Sequence, residues 1–246
     1  MQCADPSLAA VLRELAPTGR VRVAVNVGNP VLAQKDPHTG RPVGLSVDLA
    51  VELGRSLGIP VDLVTFDAAG RVVEAMESSC WDVAFLARDP RREAVLAFTS
   101  PYLTIEGTYL VREESPLRAI ADFDQNGLRI AVGRGAAYDL FLTRTLKNAE
   151  LVRADTSQGA VELFVDRGFE AAAGVRQLLA DFARSHPGLR VIPGCFTTIQ
   201  QAIATPRGRD AGIRFLERFV QRITSPCVVR DSGSPEGDGA HRTLIG

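Results

Sequence analysis

The chain is short of the residues that do most redox, metal and acid–base work. Its 246 residues include four cysteines, three histidines, two methionines and one tryptophan. Cys3, Cys80, Cys195 and Cys227 form no CxxC pair, and His38, His186 and His241 are isolated, so the spacing of a zinc site is absent. The cysteine spacing demands no disulfide. Lys and Arg total 28 against 29 Asp and Glu, a net charge of −1, so neither a basic stripe for nucleic acid nor a polybasic run for a membrane surface is present. No apolar run approaches the roughly 18 residues of a membrane-spanning helix. Enzyme motifs are scarce too. There is no Gly-x-Ser-x-Gly elbow and no glycine loop closing on Lys-Ser/Thr, and Gly133-Arg134-Gly135 lacks the third glycine of a dinucleotide fingerprint. Two histidines adjoin prolines, at Pro37-His38 and His186-Pro187, which are poor places for a general base. No cofactor and no metal is expected.

What is present is an ordinary globular composition, 46% hydrophobic, in a chain long enough for one large domain or two small lobes. Short apolar runs alternate with helical patterns. VRVAVNV at 21–27 reads as a buried parallel strand. Gly44–Leu57 reads as a helix, with Leu45, Leu49, Leu53 and Leu57 at the helical period, Ser46 as its N-cap and Gly58 as its stop. Strands at 61–66 and 82–86 bracket a helix at 70–78. The pattern then restarts, with strands at 108–111, 128–132, 151–154, 170–175 and 189–192. Helices are expected at 136–147, 157–167 and 177–185. Such alternation implies an α/β chain whose parallel sheet is covered on both faces. The expected layout is an N-terminal helix within 1–17, a first lobe from 18–108 plus 202–224, and a second lobe from 109–201. Two strands, near 107–111 and 197–204, would cross between them as a hinge, and a helix at 210–223 would return to the first lobe. Residues 225–246, rich in Gly, Ser, Pro and charge, read as a disordered tail.

The stretch Asp82–Tyr102, DVAFLARDPRREAVLAFTSPY, carries a resemblance. With VRVAVN, VGLSVDLAVELGRSLGIPV and IAVGRG, in this order, it resembles the family 3 extracellular solute-binding proteins over about residues 20–223. The resemblance implies two Rossmann-like lobes joined by a two-strand hinge, the type II periplasmic binding fold. It also implies capture of an amino acid or related organic acid for an ABC importer.

Carried over position by position, the resemblance makes Arg92 the anchor of a ligand carboxylate, with Arg91 a solvated neighbour and Asp89 placed to orient the guanidinium. Gly135, Ala136 and Ala137 open a helix whose free N–H groups would meet the same anion from the second lobe. Arg134 adds charge there or stays solvated. Asn26 and Asn29 stand where the family often has an acidic residue and an aromatic. Ala68-Ala69 replace another aromatic, Phe85 offers a ring instead, and Ala87 ends a strand that often supplies serines. Gln201, beside Gln200 on the second crossing strand, offers neutral hydrogen bonds. The sharpest departure is Val175-Arg176-Gln177, where amino-acid receptors usually place the Asp that pairs with the ligand ammonium. A buried ammonium without an anion is costly. Three arginines at one cleft (Arg92, Arg134 and Arg176) would therefore suit a polycarboxylate, although Arg176 also fits a surface position at a helix start.

The expectation is a monomeric solute-binding protein, not an enzyme. It closes on a small carboxylate and is a candidate partner of an ABC permease. The alternatives are an enzyme on the same fold, of the cyclohexadienyl dehydratase kind, or a ligand-sensing module in the cytoplasm. Residues 1–20 have neither the basic start nor the apolar core of a signal peptide. The expected compartment is periplasmic if a leader has been removed and cytoplasmic if Met1 is the native start.

Overall fold

Why the strands form is plain from burial. In VAFLA (83–87) and AAAGV (171–175) every residue is buried, as parallel strands covered on both faces require. A computed structural model describes residues 7–225. The tail beyond Ser225 and the first six residues of the N-terminal segment lie outside the described residues.

The chain begins with helix α1 (Leu8–Leu15), strand β1 (Val21–Asn26) and a small hairpin of β2 (Gln34–Lys35) and β3 (Pro42–Val43). Next come α2 (Leu45–Leu57), β4 (Val61–Phe66), α3 (Ala69–Glu74), β5 (Val83–Ala87) and the single turn α4 (Pro90–Glu93). β6 (Leu96–Phe98) and the long β7 (Leu103–Arg112) lead into β8 (Arg129–Gly133), α5 (Ala137–Thr145), β9 (Glu150–Ala154) and α6 (Ser157–Arg167). β10 (Ala171–Val175), α7 (Arg176–Ser185), β11 (Leu189–Val191), β12 (Thr197–Pro206) and α8 (Asp210–Thr224) complete the set.

The main sheet runs β4-β1-β5-β12-β7-β10-β8-β9, with β6 paired to β12 and β11 to β7. Two parallel trios flank one antiparallel pair. In the first trio β1 lies between β4 and β5, and in the second β8 lies between β9 and β10, the same order in each half. β12 and β7 pair from Thr197↔Gly107 to Gln201↔Leu103 and join the trios. One core packs α1, α2 and α8 on β1 (Leu15, Val23, Leu53, Phe219). Another packs the second half around Tyr109, Phe123, Ile130 and Leu142.

Several local expectations shift. Gly44, not Ser46, is the N-cap of α2; its φ of 120° suits only glycine, and a Cβ there would sit 2.8 Å from the Leu32 carbonyl oxygen. The buried stripe of α2 includes Ser46, Ala50, Leu53 and Leu57, while Leu45 and Leu49 are half-buried at its edge. α3 stops at Glu74 rather than 78, and β7 starts at Leu103 rather than 108 because its first residues pair with β12.

One buried carboxylate ties the first half together. Asp82, fully buried, accepts from Arg22 at 2.8 and 2.9 Å and from Arg209 at 3.2 Å. Its main-chain carbonyl accepts from the Thr205 hydroxyl at 2.9 Å. β1, β5, β12 and the approach to α8 are thus fastened at one point.

Candidate functional site

The carboxyl ends of four strands meet at one cavity. Asn26 ends β1, Ala87 ends β5, Gly133 ends β8 and Val175 ends β10. All four line a cavity of about 50 Å³. Crevices at the carboxyl ends of parallel strands are where α/β sheets bind ligands.

Arg92 enters this cavity from α4. Pro90 at the first helical position and Asp89 as N-cap, accepting from the Arg91 N–H at 2.9 Å, build that turn. The Arg92 side chain is 2% exposed. Nη1 donates to the Ala87 carbonyl at 2.7 Å and Nη2 to the Gly135 carbonyl at 2.8 Å. Burial pushes its pKa down to about 10, with the Asp89 charge opposing. A guanidinium has five N–H donors, and the described residues accept two of them, both through neutral carbonyls. Asp89 does not hydrogen-bond Arg92 as the sequence suggests. It pairs with Arg144 of α5 at 2.8 Å, so its carboxylate faces the second half of the sheet.

The opposite wall is the loop Gly133-Arg134-Gly135 and the start of α5. Ala136, the N-cap, brings no side-chain cap, and both Ala136 and Ala137 line the cavity. Gly135 has φ +68°, and its N–H donates to Asp139 Oδ2 at 2.8 Å; Arg153 holds that carboxylate at 3.0 Å. Arg134 reaches the cavity rim, largely exposed, 3.8 Å from Asp155. Below the loop the Tyr138 hydroxyl donates to Ser157 Oγ at 2.8 Å, and burial pushes its pKa up to about 12. The two walls touch through glycines: a Cβ on Gly135 would lie 2.9 Å from Gly70 Cα.

Neutral groups fill in the rest. Gln201, on β12 and 4% exposed, lines the cavity, and its amide meets no hydrogen-bonding partner among the described residues. Asn29 Oδ1 is buried without a partner, while Asn26 Oδ1 accepts from the Gly28 N–H at 3.0 Å. Phe85 stands edge-on to Tyr102, their centroids 5.8 Å apart.

The structure brings together Asn26, Asn29, Phe85, Ala87, Arg92, Arg134, Ala136, Ala137 and Gln201 on the wall, and Gly135 joins through its carbonyl. Arg176 is not among them. Its side chain turns to Glu106 and the Gly194 carbonyl, because Val175 is the residue that faces the cavity at the end of β10. The expectation of three arginines at one cleft is corrected to two. Ser46, Tyr138, Ser157, Leu32 and Ile199 also line the wall. Only Ser46 carried a signal, a hydroxyl within an apolar helix stripe. Among the described residues no Asp or Glu lines the cavity.

The profile of the bacterial extracellular solute-binding proteins, family 3, matches residues 21–226. No curated protein sequence matches. Among solved structures, holo ArgBP from T. maritima has a TM-score of 0.76 at 23% identity, covering 88% of this chain and 96% of that one. The L-cysteine solute receptor of Neisseria gonorrhoeae has a TM-score of 0.75 at 22% identity, covering 88% and 87%. The ancestral amino acid-binding protein AncCDT-1, a precursor of cyclohexadienyl dehydratase, has 0.74 at 20% identity, covering 86% and 92%. These likenesses make the fold that of the type II periplasmic binding proteins.

Proposed function

Because the chain belongs to the bacterial extracellular solute-binding proteins of family 3, we propose that it captures a small carboxylate-bearing metabolite outside the cytoplasm and delivers it, unaltered, to an ABC importer. The observation that carries this reading is Arg92: a buried guanidinium, facing a cavity, whose hydrogen bonds go to two neutral carbonyls. A charge kept in such a place needs an anion to offset its lost hydration. The ligand carboxylate fills that role from the first wall, and the first-turn N–H groups of α5 meet it from the second.

The two halves of the sheet act as lobes, 18–108 with 202–224 and 109–201, and the β12–β7 pair is the hinge. Arg92–Gly135 and Asp89–Arg144 cross between the halves, so the ligand makes its full set of contacts only when they are closed. It thereby shifts the open–closed equilibrium by its differential affinity for the two forms. The protein works as a monomer.

Calorimetric titration with short carboxylic acids tests the reading, with Arg92→Met as the comparison. A ligand that raises the melting temperature of the native protein, leaves Arg92→Met unchanged and is recovered unaltered supports it. Binding that survives Arg92→Met, or conversion of the ligand, overturns it.

A further inference from the structure

We infer that the ligand is a short hydroxycarboxylic acid rather than an α-amino acid. This rests on the reading of Arg92 as the carboxylate anchor and goes on to what surrounds it. Among the described residues the charged groups on the cavity wall are Arg92 and Arg134, both cationic. The nearby carboxylates lie off the wall and face other cations: Asp155 faces Arg134 from the solvent side, Asp89 pairs with Arg144, Asp139 with Arg153 and the Gly135 N–H, and Glu106 with Arg176. An ammonium in this cavity would lose its hydration, face a guanidinium of like charge and find no anion.

Neutral hydrogen-bonding groups wait there instead. Gln201, 4% exposed, lines the cavity and its amide has no hydrogen-bonding partner among the described residues, and Asn29 Oδ1 is buried and unpaired. A buried amide oxygen left unmatched, as at Asn29, costs the native state unless a ligand meets it. A hydroxyl both donates and accepts, so it satisfies either face of an amide, whereas an ammonium only donates. Size sets the scale of the ligand without choosing between the two groups at C2: a cavity of about 50 Å³ holds roughly four waters, which suits an acid of few carbons.

The experiment compares matched pairs differing only in the group at C2: glycolate with glycine, L-lactate with L-alanine, L-glycerate with L-serine, and L-malate with L-aspartate. Affinities are measured by calorimetric titration on the native protein, Arg92→Met and Gln201→Glu. The expected result is a hydroxy acid bound more than about tenfold tighter than its amino twin, lost in Arg92→Met. Gln201→Glu, which puts a carboxylate on the wall, should reduce or reverse that preference, and its melting curve verifies that it folds. An amino acid bound as tightly as its hydroxy twin, with Arg92 still required, overturns the hydroxy-acid inference and leaves the carboxylate reading standing. Binding indifferent to Arg92→Met, or no binding by any of the eight acids, overturns both.

Discussion

Two buried charges in this protein do opposite things. Asp82 is matched by two arginines and a main-chain partner network. Arg92 hydrogen-bonds only to carbonyls, and the charge of Asp89, itself paired with Arg144, offsets its burial only in part. Removing one partner of a buried ion pair strands the others, so Asp82→Asn should lower unfolding stability by about 3 kcal/mol while ligand affinity per folded molecule stays unchanged. Urea denaturation read beside calorimetric titration separates the two effects. Arg92→Met should behave in reverse. Burial already disfavours its charged form, so the melting temperature should stay within about 4 °C of the parent or rise, and ligand-induced stabilisation should vanish. A larger fall would make Arg92 a structural residue of the core instead of the ligand anchor. The sequence pointed to Arg92 because a buried strand, a polar turn and an apolar strand follow one another around it. It could not separate the fates of Arg92 and Arg176. At the end of β10 neighbouring side chains diverge, and only the positions of Glu106 and Gly194 decide that Arg176 turns outward.

At the level of elements, legibility follows how local the cause is. The strands ending at Leu86 and Val175 were readable because continuous apolar runs suit burial on both faces. The α2 cap was not. Ser46 has the right chemistry for an N-cap, but Gly44 holds the position because the Leu32 carbonyl crowds it across the fold. The length of β7 was missed for the same reason, since pairing with β12 extends it. Tyr138 is not legible as a cavity residue because helical spacing alone makes it an ordinary core position, and the Ser46 hydroxyl, a signal within an apolar stripe, reads first as a cap. The junction of β8 with α5 gives an element-level prediction. Gly135→Ala strains a backbone at φ +68° and drives a Cβ to 2.9 Å from Gly70 Cα. The walls should then fail to meet. The ligand-free protein should show a larger radius of gyration in X-ray scattering, and ligand binding should weaken more than about tenfold. An unchanged radius and affinity would mean that the Gly70–Gly135 contact does not limit closure.

For the molecule as a whole, the closed cavity is held by contacts that do not involve a ligand. Asp89, with only 3% of its side chain exposed, pairs with Arg144 across the cleft. Arg144→Ala should lower ligand affinity about fivefold, roughly 1 kcal/mol, by favouring the open form, with the cavity wall itself intact. Titration alongside scattering checks this, and an affinity loss without expansion would count against it. Acid should act elsewhere. The N–H of Asn148, assisted by those of Ala149 and Lys147, holds the Asp124 carboxyl below its ordinary 3.8. The Arg129 hydrogen bond does the same for Glu170, whose ordinary value is 4.5, and that of Arg20 for Asp62. For such groups the folded pKa lies below the unfolded one. Their contribution is complete above the ordinary values and disappears as pH falls through the lowered ones. The urea midpoint should therefore stay level from pH 7 to about 5 and drop below about 4; a midpoint that falls between 7 and 5 would point to a different set of groups.

The bare contact between Gly70 and Gly135 also makes the protein a gauge of length. No side chain stands at that point to bend aside, so main chain meets main chain and the seam closes fully or stays ajar. A molecule that protrudes past it must hold the rims apart, and in doing so it gives up the Arg92–Gly135 bond and the Asp89–Arg144 pair together. The first carbon beyond the fitting length should therefore produce an abrupt loss of affinity and later ones little more, a step in a homologous series rather than a slope.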